Sequence, residues 1–308
     1  MAGRIAVIGS NMMDLVTYVN RMPLPGETLE APSFAMGHGG KGANQAVAAA
    51  KLGADVLMLT KVGDDAFADA TIANLKAAGV DTRYVGRVPG RSSGVAPIMV
   101  DPAGENSILI VKGANNDLLP PDIEAAAEDL KRCDLILLQL EVPVETVYAA
   151  VAFGKRHGVR TLLNPAPALP DLDPEQVKLA TFLVPNETEL AILTGLPVET
   201  LDHIAEAARS LIAKGVETVV VTMGSRGALL VTASEVTQIE PVPVTPVDTT
   251  GAGDAFIGSF ARYFVGGDAL EPALKKAARY AADSITRRGT QKAYATEAEF
   301  SQSIEGHV

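Results

Sequence analysis

The chain carries 308 residues, 47% of them hydrophobic and 20% charged, with a formal net charge of −11 and a single cysteine. That length supports a large single α/β domain or a core domain plus a small appendage, and the acidic balance argues against a nucleic-acid surface, which needs clustered Lys and Arg. One cysteine, Cys133, excludes an intramolecular disulfide and fits a reducing compartment, and no apolar run nears the ~20 residues that span a bilayer.

In chain order, "RIAVIG" reads as a buried first strand, too short and without the cleavage pattern of a secretory signal, so a cytoplasmic protein is expected. It runs into "GSNMMDLV", with Asp14 at a strand end where open α/β sheets bind ligands. Residues 14–36 then read as exposed strands joined by the turn "PLPGE". "GANQAVAAAKLG" is an Ala-rich helix stopped at Gly53, "DVLMLTKVG" a strand, and "DATIANLKAAG" a helix stopped at Gly79. Residues 93–111 again look like exposed strands, around "DPAGEN". "LILLQL", "RTLLNP", "FLVPN", "TVVVTMG" and "GALLVT" have the length and composition of buried strands, with the helix "HIAEAARSLIAKG" among them. Cys133, just before "LILLQL", reads as a small buried hydrophobe.

Such alternation predicts a mostly parallel sheet covered by helices on both faces. Segments 14–36 and 93–111 predict a small projecting sheet, a lid or a dimer contact. No linker marks a second domain, so residues 1–308 are expected to form one.

The segment "VDTTGAGDAFIGSF" carries the strongest chemical signal. Gly251, Ala252 and Gly253 can aim backbone N–H groups at one spot where a helix begins, which suits a transferring phosphoryl group. Asp254, in the first helical turn, is placed to take a proton from an acceptor hydroxyl. A dinucleotide fingerprint fails because Phe256 stands at the third glycine's place, and a Walker A loop fails because Lys41 is followed by Gly42.

"GGKGANQAVAAAKLG" and "DTTGAGDAF", with "LQLEVP", "NPAP", "PNETE" and "TMGSRG" between them, make almost the whole chain resemble the ribokinase-like family of carbohydrate kinases. The resemblance implies a three-layer α/β sandwich with a small β-sheet lid and transfer of a phosphoryl group from ATP to a pentose 5-hydroxyl; the exposed edges of the lid strands invite a strand partner, so a homodimer through them is expected. It implies Asp254 as catalytic base and the amides of Gly251, Ala252 and Gly253 as an anion hole. Asp14, Gly40, Lys41, Gly42 and Asn44 match sugar-binding positions, and Glu141 a carboxylate facing the sugar. Asn186 and Glu189 match a pair that organises Mg²⁺ through water, while Thr222, Gly224, Ser225, Arg226 and Gly227, with Asn186, Gly253 and Asp254, match the nucleotide site. An activating K⁺ would sit at Asp248, Thr250, Ser284, Arg287 and Gly289, mostly on backbone oxygens; Ala293 departs from the Ser common there and removes one side-chain contact.

A second departure bears on the sugar. Ribokinases carry Asn-x-Asp at the end of the first strand, and aligning "GSNMMD" puts Met12 where that Asn belongs. A thioether cannot replace amide hydrogen bonds, but it suits a carbon bearing hydrogen where ribose bears its 2-hydroxyl. The opening of the chain resembles that of 2-deoxyribose kinases, which share the Met. Phosphorylation of 2-deoxy-D-ribose is therefore expected, with ribose as the alternative acceptor; a nucleoside or hexose kinase and an inactive sugar-binding protein fit the motifs less well.

Overall fold

Continuous apolar runs decide the centre of the molecule, because strands buried on both faces need apolar residues at every position. The computed structural model describes residues 3–102 and 105–305, so the predicted turn through Ala103 and Gly104 lies outside the described residues. Its strands are β1 (Arg4–Ile8), β2 (Met12–Tyr18), β3 (Ser33–Gly39), β4 (Asp55–Val62), β5 (Asp81–Arg87), β6 (Val95–Val100), β7 (Asn106–Ile108), β8 (Leu135–Leu138), β9 (Arg160–Leu163), β10 (Phe182–Leu183), β11 (Thr218–Thr222), β12 (Ala228–Val231) and β13 (Val236–Ile239). Nine form one sheet in the order β13-β12-β11-β10-β9-β8-β1-β4-β5, and four form a separate sheet, β3-β2-β6-β7.

The large sheet is parallel from β5 to β11 and antiparallel only at β11–β12 and β12–β13. The turn between β11 and β12 is too short for a crossover, which forces a hairpin there. Alternation along β1 divides the core: Ala6 and Ile8 pack with helix residues Val147, Ala150 and Ile204, while Ile5 and Val7 pack with Ala46, Val47 and Phe260 on the other face. Helices therefore cover both faces, as the alternation predicts. Edge strands β5 and β13 were not among the expected strands; both are half exposed and lack an unbroken apolar run.

The small sheet springs directly from the end of β1, since β2 begins four residues after it. It pairs antiparallel with β3 and parallel with β6, and β6 pairs antiparallel with β7. Cys133 is buried, and burial pushes its thiol up to about 12. Among the described residues no helix is long and apolar enough to cross a membrane.

Candidate active site

From β1 the large sheet grows one way through β4 and β5 and the other way through β8, so the order reverses between β1 and β8. Ligands bind at the carboxyl ends of strands beside such a reversal. Here Ser10 follows β1 and Glu141 follows β8, and Ser10 Oγ donates to Glu141 Oε2 at 2.5 Å. The same oxygen accepts the Lys41 N–H at 2.8 Å, which anchors the start of the Lys41–Lys51 helix. Gly40 (φ 86°) and Gly42 permit the approach: a Cβ at either would fall 2.7 Å from the Asn11 Cα or the Ser10 nitrogen.

The Lys41–Lys51 helix lies against the Ala252–Val265 helix, and Gly258 is where they touch; a Cβ there would lie 2.5 Å from the Gln45 carbonyl oxygen. That contact brings two side-chain amides onto Asp254. Asn44 Nδ2 donates to Asp254 Oδ2 at 2.9 Å, and Gln45 Nε2 donates to Asp254 Oδ1 at 3.0 Å. Behind them Gln291 Nε2 donates to Asn44 Oδ1 at 2.9 Å, and Gln139 Nε2 donates to Gln45 Oε1 at 2.6 Å.

Asp254 opens on a cavity of about 200 Å³ whose lining includes Lys41, Asn186, Glu189, Gly251 and Gly253. Gly251 adopts the left-handed conformation (φ 76°) that turns the chain into the helix, and Tyr294 Oη donates to its carbonyl at 2.9 Å. The expected trio of amides is reduced, because Ala252 N–H already donates to the Thr249 carbonyl at 3.2 Å. Burial disfavours a charged Lys41, but Asp254, Glu141 and Glu189 together outweigh it and hold the ammonium above its usual range. Glu189 is raised by burial, against the opposing Asn186 N–H and the charge of Lys41. Asn186 caps the Glu187–Thr194 helix: its Oδ1 accepts Glu189 N–H at 2.8 Å, while its own N–H and Nδ2 reach the Glu189 carboxylate at 2.8 and 3.0 Å.

A larger cavity of about 760 Å³ lies under β2, β3 and β6 and reaches Asp248–Thr250 and Arg288–Lys292; Thr249 lines both cavities. Asp14 lines the larger one, facing Gly37 across the β2–β3 pair, and a Cβ at Gly39 would fall 2.2 Å from Asp14 Oδ1. Burial, then the charges of Glu141 and Asp254, raises Asp14 to about 7. Strand alternation puts Met12 on the same side as Asp14, opposite Gly39, and it is 2% exposed. The neighbouring Asn11 does not take Met12's place, since its Nδ2 donates to Thr60 Oγ1 and the Lys61 carbonyl, each at 2.7 Å.

At the implied cation position, Asp248 Oδ2 accepts Gly289 N–H at 2.9 Å and Oδ1 accepts Thr250 N–H at 3.0 Å. Burial alone would raise the Asp248 carboxyl, but these donors hold it below its usual range. Asp248 thereby ties the loop bearing Thr250 to the segment bearing Arg287 and Gly289, just beyond Ser284 at the end of the Leu270–Ser284 helix. The Ala293 carbonyl is taken by Arg287 Nε at 3.0 Å and Nη2 at 2.7 Å.

Thr222 lines the smaller cavity, but Gly224, Ser225, Arg226 and Gly227 do not. Arg226 turns away to an ion pair with Glu187 and to the Glu199 carbonyl. Sequence reasoning missed Gln45, Gln139, Asn164 and Gln291. A polar residue inside an apolar run, as in "LILLQL", was the available signal that a buried partner awaits it.

The model of the pfkB family of carbohydrate kinases matches residues 2–297. The chain belongs to that family. It is 60% identical over 300 residues to the deoxyribokinase of Salmonella typhi, covering 97% of this chain and 98% of that one. It is 43% identical over 300 residues to the ribokinase of Bacillus subtilis, covering 97% and 99%. The Arabidopsis thaliana ribokinase solved with ribose and ATP superposes with a TM-score of 0.92 at 33% identity, covering 98% of each chain. A pfkB carbohydrate kinase with the ribokinase fold is thus established, and the Asp254 cleft is its candidate active site.

Proposed function

We propose that this carbohydrate kinase transfers the γ-phosphoryl group of ATP to the 5-hydroxyl of 2-deoxy-D-ribose, giving 2-deoxy-D-ribose 5-phosphate and ADP. The observation that carries the sugar assignment is Met12, buried on the same side of β2 as Asp14 while Asn11 is spent on β4. The name of the Salmonella typhi relative favours the same sugar. Ribose is the second reading, as a poorer substrate, because an apolar pocket rejects an added hydroxyl by only ~10².

In this reading Asp14, Gly40, Lys41, Gly42 and Asn44 hold the sugar, while Glu141 anchors Ser10 and the start of the helix that carries Lys41. Asp254 takes the proton of the 5-hydroxyl as its oxygen bonds to the γ-phosphorus and the bond to the β-bridging oxygen breaks. Lys41 and the Gly251 and Gly253 amides offset charge on the moving group. Asn186, Thr222 and the Gly224–Gly227 turn border the nucleotide. Mg²⁺ bound with ATP would supply neutralisation of the phosphate charge, with Asn186 and Glu189 organising it. Oxygen donors suit a Mg²⁺ that keeps most of its waters, and Glu189, on the lining of the smaller cavity, would hold it through one. K⁺ would draw on Asp248 and the carbonyls of Thr250, Ser284, Arg287 and Gly289, with Ala293 adding no side-chain ligand.

Residues 1–308 act as one unit in this reading, in a reducing cytoplasm. The small sheet serves as lid and as contact with a second copy, since β3 and β7 are free edges and Phe34 (57%) and Leu109 (61%) are exposed. Light scattering should give a dimer; a stable monomer at micromolar concentration would contradict that contact. A panel of pentoses, hexoses and nucleosides assayed with ATP and Mg²⁺ in K⁺, Na⁺ and choline salts tests the rest. The expected result is fastest turnover of 2-deoxyribose, phosphorylated at the 5-position, in K⁺. Turnover of no pentose would overturn the activity, and equal rates in all three salts would overturn the cation's role.

A further inference from the structure

Asn44 and Gln45 are consecutive on one helix, and between them they take both oxygens of Asp254. Asn44 can also face sugar, but Gln45 is fully buried and can serve only the protein. Its amide has one usable orientation. Gln139 Nε2 donates to Gln45 Oε1 at 2.6 Å, which fixes the oxygen on that side and turns the NH₂ towards Asp254. Asn164 agrees: its Nδ2 donates to the Val184 carbonyl at 2.9 Å, so its Oδ1 is the atom that faces Gln45 Nε2, at 3.4 Å. The opposite orientation would set a carbonyl oxygen against the carboxylate.

Gln139 is an independent clue. It is fully buried just past β8, and its Oε1 has no partner among the described residues, pressed where a Cβ at Gly9 would lie only 2.1 Å away. An unpaired buried acceptor is costly, and an apolar side chain would suit the site better. The half of Gln139 that makes a bond is the half that orients Gln45.

We propose that Gln45, held in one amide orientation by Gln139, is the positioning residue that fixes the Asp254 carboxylate for proton transfer. The proposal rests on Asp254 being the base. Neither glutamine touches substrate; both act through Asp254, whose carboxylate without Gln45 would be held at Oδ2 alone, by Asn44. Misplacing a reacting group lowers turnover without weakening ground-state binding.

The test compares Gln45→Met, Gln139→Met and their double variant, with Asp254→Asn alongside, in steady-state kinetics and sugar-dependent thermal shifts. Methionine keeps the volume and removes every amide bond. Gln45→Met should lower kcat by about 10- to 100-fold, the scale of a hydrogen bond to a charged group, with KM for sugar and ATP within about twofold. Gln139→Met should lower kcat by a smaller factor, and the double variant should lose no more than Gln45→Met alone. Wild-type kcat in a folded Gln45→Met that still binds sugar would overturn the proposal, as would losses that simply multiply in the double variant. If Gln45→Met does not fold, Gln139→Met decides: a kcat loss at unchanged KM supports the proposal, and wild-type kcat overturns it. Near-normal turnover in Asp254→Asn would instead remove the base assignment, whatever the glutamines do.

Discussion

The floor of the cleft carries Asp254 on a helix packed tightly against its neighbour, with amides on both carboxylate oxygens and further amides behind them. The small sheet carries Asp14 on β2 opposite glycines, between exposed edge strands, above a cavity several times larger than the one at Asp254. The two regions, which share a ligand in the proposed function, are built to different tolerances. Proton removal in phosphoryl transfer depends on close positioning, which the amides holding Asp254 from several sides would supply if it is the base, as proposed. Capturing a sugar and excluding water, the part proposed for the small sheet, call for a surface that can close over a roomy cavity.

Removing the base is the strongest challenge to that contrast. Asp254→Asn should lower kcat by about 10²–10⁴-fold while sugar and nucleotide still bind, measured by turnover and calorimetry. Turnover near that of wild type would deny the floor its chemical role.

The difference in tolerance can be read from two glycines. Gly258→Ala places a Cβ 2.5 Å from the Gln45 carbonyl oxygen and 2.7 Å from the Ala48 Cβ, so chemical denaturation should show a loss of about 1–3 kcal/mol and kcat should fall. Gly37→Ala meets only the Asp14 Cβ at 3.9 Å, and its stability should stay within about 0.5 kcal/mol of wild type. Equal costs at the two positions would erase the contrast.

A smaller effect belongs to Asp14. Its carboxyl is raised from 3.8 to about 7 in the folded protein, so the stability it contributes is complete below pH ~4 and lost as pH rises through about 7. The melting temperature of the sugar-free protein should therefore fall more steeply between pH 4 and 7 in wild type than in Asp14→Asn. Parallel melting curves would show that Asp14 titrates as an ordinary surface carboxylate.

Much of this was legible in the sequence, because it rests on local pattern. The strand at Arg4–Ile8, the helix stopped at Gly53 and the Gly-rich turn before Asp254 each follow from neighbours in the chain. The bonds that hold Asp254 do not: Asn44 and Asp254 are separated by 210 residues, and Gln291 and Asn44 by 247. A glutamine has no periodicity, and only the assembled fold decides which buried acceptor it meets. The partners of Arg226 were illegible for a related reason, since Glu187 and the Glu199 carbonyl meet its guanidinium only in the assembled fold. The short edge strands β5 and β13 escaped because half-exposed strands need no apolar run. Met12 was legible as a departure from an expected motif, and the fold added that Asn11 is spent elsewhere.

Selection of the sugar by Met12, as proposed, is tested most directly by the ratio of kcat/KM for 2-deoxy-D-ribose to that for D-ribose, in wild type and in Met12→Asn. Wild type should favour 2-deoxyribose, by at most ~10², and Met12→Asn should move the ratio towards ribose. A wild type that prefers ribose, with a ratio that Met12→Asn leaves unchanged, would contradict the account and leave Met12 as packing.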